Sequence, residues 1–473
     1  MDVQFGVNLC CTELLVCIVN AVMRHTSFSF ALDVSAREEA SLRRHAGASR
    51  FAYNQCLNLH QNAADARKRD AAVKVPRSGF DLINAFNAWK ISAAAGVNDD
   101  GEIGLPWRQE VLAQVFEEAA VDLSRGLQAF FGARKKTTRR RVGFPRRKKK
   151  GRSKDSFRIR NGNGGIRVAL HSIRLPKIGE LPVRETTRRL RRLLRLGADG
   201  KPRAKILFAT VTLSGGRWHV RINVEAPSFH AGMQTSKDVV AAVGIDRGLN
   251  VFAVAATSDG QETWRSEAPK PLKQHERRLQ RLSRQLSRTQ KTSSNRVRRR
   301  RKLSRLHAKI RHIRRDYAHK LSTHVAKTHG HVALEDLHIA GMMQNHHLAK
   351  SIADSAWNMF AQKLAYKAGW YGCRVSTVDR FWPSTKTCCR CLAVTPHVPL
   401  SQRRFNCAAC GYEADRETNA AANCARWSEN LDRVAVKHTE TQNACGGEGS
   451  GRAVTCGETG PVEARIACLS LAG

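Results

Sequence analysis

The pattern of apolar and polar positions changes character several times along the chain. Residues 27–34 alternate weakly, which predicts a strand. From Ser35 the period becomes helical. Ser35, with Glu38 three positions on, forms a capping box that starts a helix. Helical patterns continue to about Phe131, interrupted near residues 75–78 and 97–104. From Phe157 to Glu225 the period is two. Trp218, Val220, Ile222 and Val224 face one way; His219, Arg221, Asn223 and Glu225 face the other. Residues 206–213 precede them across Ser214-Gly215-Gly216-Arg217, a hairpin signal. The expectation is a small β unit closed as a barrel.

A second region opens with a continuous apolar run at 239–245, as for a buried strand, and a second strand at 251–257 that ends in Ser258-Asp259-Gly260. Two long helices follow. Leu279, Leu282 and Leu286 line the first; Leu303, Leu306, Ile310, Ile313 and Tyr317 line the second at spacings of three and four. Residues 332–334 predict another buried strand. Beyond about Arg433 the chain is polar, Gly-rich and aperiodic, the signature of a disordered tail over 434–473.

The amino-terminal stretch 3–22 is apolar but contains Asn8, Glu13 and Asn20, and Asp2 stands where a signal peptide carries positive charge. It is borderline in length for a membrane span. The pattern favours Met23 as the natural start, with residues 1–22 a non-native extension and no membrane role.

Charge changes the picture most. Lys and Arg number 81 against 40 Asp and Glu, a net charge of +41 over 473 residues. Such an excess repels itself and calls for a polyanionic partner, of which nucleic acid is the commonest. Aromatic residues make up 6%, so binding should rest on phosphates and depend strongly on salt. The basic run 134–150 is equally readable as a solvated linker or as a nucleic-acid contact, the basic stretch 188–195 sits within the β unit, and the stretch from Arg298 to Lys302 suits both an exposed coiled-coil hairpin and a helix lying along nucleic acid. The 14 cysteines show no disulfide regularity and fit a reducing compartment.

Four of those cysteines form the strongest local signal. Cys388-x2-Cys391 is followed, after 15 residues, by Cys407-x2-Cys410. Each knuckle turns two thiolates toward one ion, and two knuckles complete a zinc tetrahedron with no open position, so the zinc is expected to be structural. Cys389 is an extra thiol. Acids appear in a second constellation. Asp246 ends the run 239–245, Glu335 ends the run 332–334, and Asp415 and Glu417 open a helix after the second knuckle. Singly, each reads as a helix cap or an arginine partner. Together, three converging carboxylates suit two magnesium or manganese ions around a scissile phosphate.

These motifs, in order, resemble one family. Gly244-Ile245-Asp246-Arg247-Gly248-Leu249, Leu334-Glu335-Asp336-Leu337, Pro383-Ser384-Thr385-Lys386-Thr387-Cys388 and Asp415-Arg416-Glu417-Thr418-Asn419-Ala420-Ala421 look like the TnpB or OrfB proteins of bacterial insertion sequences, relatives of the compact type V CRISPR nucleases. The likeness extends over residues 27–443, including Leu42-Arg43-Arg44-His45 and Phe51-Ala52-Tyr53-Asn54. It implies an α/β multidomain fold: an RNase H-like RuvC nuclease domain over 238–433 with a zinc ribbon inserted at 384–413, a wedge β-barrel from 27–34 and 139–227, and a helical recognition domain over 35–138. It implies catalytic Asp246, Glu335 and Glu417, with Asp415 close by; structural zinc and catalytic magnesium or manganese; a guide RNA and double-stranded target DNA cut beside a short transposon-associated motif; and a bacterial cytoplasmic, nucleoid-associated location. Two positions depart from the pattern. Glu417 stands where the family carries Asp, which opens the alternative of a nuclease-impaired, RNA-guided DNA-binding protein. Leu392 stands where it often carries Gly. A DNA transposase is the third reading.

Overall fold

The structure is a computed structural model that describes residues 24–97, 101–135, 142–162, 164–196, 202–226, 242–399 and 401–443, the last 13 of these by backbone alone. The expected extension 1–22 and residues 444–473 of the expected tail lie outside them.

The amino-terminal half begins with β1 (Arg24–Ala31) and three helices, α1 (Ala36–Arg69), α2 (Gly79–Lys90) and α3 (Ala113–Lys135). The Ser35–Glu38 capping box forms, and Ser78–Asp81 makes a second at the start of α2. Then come β2 (Ser156–Arg160), β3 (Arg167–Val168), β4 (Ser172–Leu175), β5 (Gly179–Pro182), α4 (Arg188–Leu194), β6 (Lys205–Ser214) and β7 (Arg217–Ala226). The β6–β7 hairpin turns on Gly215 and Gly216, both with positive φ (62° and 73°), as a tight two-residue turn demands. Trp218, Val220, Ile222 and Val224 are buried, as their alternation requires. They join Leu42, Leu82, Phe116 and Leu123 in one core, so sheet and helices form a single unit.

The β unit comprises two sheets, one of order β1-β7-β6-β2 and the other β3-β4-β5. They meet past the ends of β1 and β5, where Leu32 bridges Val183 and the amides of Asp33 and Arg184 donate to the carbonyls of Pro182 and Ala31. Alternation marks which face is buried but not whether edges pair, and the basic stretch expected within the β unit is the helix α4.

The carboxy-terminal half has its own core around a five-stranded sheet ordered β10-β9-β8-β11-β12, comprising β8 (Val243–Asp246), β9 (Val251–Thr257), β10 (Glu262–Glu267), β11 (His331–Glu335) and β12 (Arg374–Val378). Pairs β8–β9 and β9–β10 are antiparallel; β8–β11 and β11–β12 are parallel. Parallel neighbours need crossovers. The hairpin of α5 (Pro271–Ser287) and α6 (Ser294–Thr328) supplies the first; α7 (Ile339–Met342), α8 (Ala349–Ser355) and α9 (Trp357–Tyr371) supply the second. Leu279, Leu306 and Ile310 bury between α5 and α6. Asp354 caps α5 through the amides of Leu272 and Lys273 while pairing with Arg314 at 2.8 Å. The chain ends through β13 (Arg404–Asn406), β14 (Glu413–Asp415) and α10 (Arg416–Asn443), which runs ten residues past the domain end expected at 433.

The two faces of this sheet differ. Val243, Ile245, Val332 and Leu334 point to α6 and α9 and pack on Val325, Phe360 and Leu364. Gly244, Ala333 and Ala256 point the other way, to Ala421, Ala422 and Cys424 of α10. Small residues on both surfaces let α10 sit almost on the strands. A Cβ at Gly244 would lie 1.9 Å from the Ala421 carbonyl oxygen and 2.5 Å from the Ala425 nitrogen. Gly244→Ala is therefore expected to push α10 off the sheet and lower stability by about 3 kcal/mol, read as a shift in denaturant midpoint.

Candidate active site and metal centre

The faces of the sheet decide where the acids go. Side chains two apart on a strand share a face. Asp246 therefore follows Gly244, and Glu335 follows Ala333, onto the side covered by α10. The parallel register pairs Val243 with Val332, Gly244 with Ala333 and Ile245 with Leu334, so Asp246 and Glu335 come next on adjacent strands. Their carboxyl groups lie close enough for each to feel the other's charge. Glu417, in the first turn of α10, adds its charge to theirs. Burial, then the charges of Glu335 and Glu417, push the Asp246 carboxyl well above the usual range. Burial and Asp415 also raise Glu417, against the pull of Arg265, Arg403 and Arg416.

Each acid has a distinct setting. Glu335 Oε1 accepts a hydrogen bond from Ser384 Oγ at 2.9 Å. The neighbouring Arg247 is buried, but its guanidinium donates to the Glu335 main-chain carbonyl and its Nε has no partner. Glu417 stands 3.9 Å from both Arg265 and Arg403. Asp415 accepts from the amides of Glu417 (2.9 Å) and Thr418 (3.3 Å) and pairs with Arg265 at 3.4 Å. That is a helix cap at the start of α10. Asp246, Glu335 and Glu417 are thus brought together, and Asp415 stands behind them. A cleft of about 450 Å³ opens on Glu335, lined also by Asp336, Arg380, Phe381, Trp382 and Ser384.

Sequence reasoning missed what holds this geometry. Asn419 and Asn423, one turn apart on α10 and buried, clamp the segment before the first knuckle. Asn419 Nδ2 donates to the Thr387 carbonyl (2.7 Å) and its Oδ1 accepts from the Cys389 amide (3.0 Å). Asn423 Nδ2 donates to the carbonyls of Ser384 (2.7 Å) and Thr387 (2.6 Å). On the far side, Glu262 accepts a two-pronged bond from Arg265 and a hydroxyl bond from Thr418 at 2.7 Å, tying β10 to the start of α10. Asparagine in the midst of a helix was the available signal, since it disfavours helix interiors unless its amide has a partner.

The four cysteines meet as the spacing requires. The Sγ atoms of Cys388, Cys391, Cys407 and Cys410 all lie within 4.8 Å of one another, at 3.7 Å for Cys388–Cys410 and 3.5 Å for Cys391–Cys407. A zinc–sulfur tetrahedron has edges of about 3.8 Å, so the set fits structural zinc. Among the described residues no other group of three or more ligating side chains is drawn so close; the carboxylates spread wider. Cys389 is buried against Tyr412, outside the four.

The comparisons agree with this architecture. A family model described as "Probable transposase" (OrfB_IS605) matches residues 219–346, and one described as "Cas12f1-like, TNB domain" matches 357–424. A third, "Helix-turn-helix domain", matches 23–69, a span that here holds β1 and the unbroken α1. The chain is 31% identical to "Putative RNA-guided DNA endonuclease MT2953" of Mycobacterium tuberculosis over 85% of its length and 86% of that protein. It is 30% identical to "Putative RNA-guided DNA endonuclease InsQ" of Escherichia coli over 85% and 91%. Its fold resembles the protein in "Cryo-EM structure of the Cas12f1-sgRNA-target DNA complex", with a TM-score of 0.51, 13% identity, and coverage of 85% of this chain and 99% of that one. The chain belongs to the TnpB/OrfB family of transposon-encoded proteins, mixed α/β in fold. Among the described residues no helix is long and apolar enough to cross a membrane.

Leu392, the smaller departure, has a structural reading. Its φ is +66°, in the left-handed region, and its side chain is half exposed. Leucine there is strained and glycine is not. Leu392→Gly is expected to stabilise the ribbon by about 1 kcal/mol, seen as a higher melting temperature of the zinc-loaded protein.

Proposed function

We propose that this protein is an RNA-guided, metal-dependent DNA endonuclease that cuts beside a short transposon-associated motif. The observation that carries this is the meeting of Asp246 and Glu335 with Glu417 of α10 on one face of one sheet, beside a cleft that opens on Glu335. The strand order, three antiparallel followed by two parallel, supports an RNase H-like RuvC domain with the cysteine ribbon inserted before its last helix. The two amino-terminal sheets with the helices α1–α3 stand for the wedge and recognition parts. The relatives' names and the charge of +41 support a guide RNA and a DNA duplex as partners. A bacterial cytoplasmic, nucleoid-associated location follows from those partners.

In this reading Asp246, Glu335 and Glu417 would hold magnesium or manganese, hard cations suited to carboxylate oxygens. Bound there, such ions activate a water and neutralise the charge building on the scissile phosphate. The chain's own residues do the placing. Ser384 fixes the rotation of the Glu335 carboxylate. Arg247, bonded to a main-chain oxygen, offsets buried negative charge without covering a ligand atom. Asp415 starts the helix that presents Glu417.

One observation favours a second reading, a guided DNA binder with impaired cleavage. Glu417 is drawn toward Arg265 and Arg403, and a glutamate reaches one methylene further than an aspartate. A displacement of about 1 Å in a catalytic group can lower a rate on the order of a hundredfold.

Two measurements decide these points. Asp246→Ala is expected to abolish cleavage of a guide-matched duplex while guide RNA binding stays at the wild-type level. Wild-type cleavage by this variant overturns the site. Glu417→Asp is expected to lower the rate of a cleaving wild type by up to about a hundredfold. Cleavage that appears only in Glu417→Asp selects the impaired binder.

A further inference from the structure

Phe381 is the most exposed large apolar side chain among the described residues, at 89%, in a chain with few aromatic residues. It lies in the turn after β12, in the cleft that opens on Glu335. The turn beneath it is firmly held. The Phe381 amide donates to Asp379 Oδ1 (2.7 Å), the Trp382 amide to the Asp379 carbonyl (3.2 Å), and the Ser384 amide to the Trp382 carbonyl (2.8 Å). Arg380, one residue before, pairs with Asp336, next to Glu335. An exposed phenyl ring on a pinned turn is presented, not left over from poor packing.

The charges of the cleft say what it is presented to. Glu335, Asp336 and Asp379 line the cleft and repel phosphate. Its two cations are engaged: Arg380 with Asp336, and Lys386 Nζ with the Pro396 carbonyl at 3.0 Å. Apart from the cations proposed at the carboxylates, a strand passing here finds few positive side chains to grip its backbone, although the rest of the surface is strongly basic. Flat neutral rings are the remaining handles, and of the two that line the cleft Phe381 is far more exposed than Trp382, at 89% against 36%. Bases have such faces; stacking on an aromatic side chain is tolerant of sequence, and salt screens charges rather than a neutral ring. In a duplex those faces are covered by neighbouring pairs, so the ring can accept a base only from an unpaired strand.

We propose that Phe381 is a stacking platform that holds an unpaired base of the DNA strand entering the carboxylate cleft, and so selects single-stranded DNA for the cutting site. The proposal rests on the nuclease reading above. Phe381 is a positioning residue: it sets where the strand lies while the acids set the chemistry.

The test uses the complete complex of protein, guide RNA and matching target duplex. In an Asp246→Ala background the strands stay intact, and 5-bromodeoxyuridine placed at successive positions reports contacts by photocrosslinking. The crosslink is expected on the peptide containing Phe381, retained in Phe381→Trp and lost in Phe381→Leu. With Asp246 intact, Phe381→Leu is expected to raise KM for cleavage about tenfold with kcat little changed, by the same factor at low and high salt, and Phe381→Trp to restore it. A KM unchanged in Phe381→Leu, a factor that shrinks with added salt, or crosslinks confined to other peptides overturns the stacking role. So does a protein dimer abolished by Phe381→Leu, which assigns the ring to a second copy of the chain. Crosslinking at Phe381 with no cleavage by any variant keeps the platform and removes the nuclease reading; normal cleavage with no effect at Phe381 does the reverse.

Discussion

The close approach of α10 to the central sheet is the constraint on which the rest of the site depends. Gly244, Ala333 and Ala256 on the strands, and Ala421, Ala422 and Cys424 on the helix, are all small. Larger side chains on either surface would lift the helix by the thickness of a methyl group or more, and dense interiors do not absorb such shifts. The same period of two that makes this surface small carries Asp246 and Glu335 onto it. Packing and chemistry are therefore consequences of one alternation: the strand face that must be small to admit the helix is the face that must be acidic at its end to meet Glu417.

The arrangement also separates two uses of charge. The net excess of +41 is spread over a large surface and acts at long range on any polyanion. At the carboxylate cluster the sign reverses, and burial first, then the charge of neighbouring acids, raises the proton affinity of Asp246 and Glu417. In the proposed reading, attraction brings a nucleic acid to the protein while the acids admit a phosphate only in company with divalent cations.

Much of this was legible in the sequence, for local reasons. Cys388, Cys391, Cys407 and Cys410 announce themselves by spacing, and they converge as that spacing requires. Asp246 and Glu335 could be singled out because an acid ending an apolar run is conspicuous. The capping box at Ser35 and the Gly215-Gly216 turn are equally local. What could not be read depends on partners far along the chain. Ser384 braces Glu335 from 49 positions away, Asp354 caps α5 from 82, and Arg265 reaches Asp415 across the fold. The meeting of the two amino-terminal sheets at Leu32 and Val183 is of the same kind, since edge pairing is a long-range property. Asp415 and Glu417 sit two residues apart and looked interchangeable; the helix start separates them, because one must satisfy amide donors that the other leaves free.

The short stretch from Ser384 to Cys388 belongs to both centres. Its first residue steadies a carboxylate, its last is a thiolate, and two asparagines fasten the span between them to a single helix. Inheritance of the two features is thereby linked. A lineage that lost the ribbon would forfeit the brace on Glu335 as well, so the sulfur ligands have reason to persist under selection even though none of them lines the cleft.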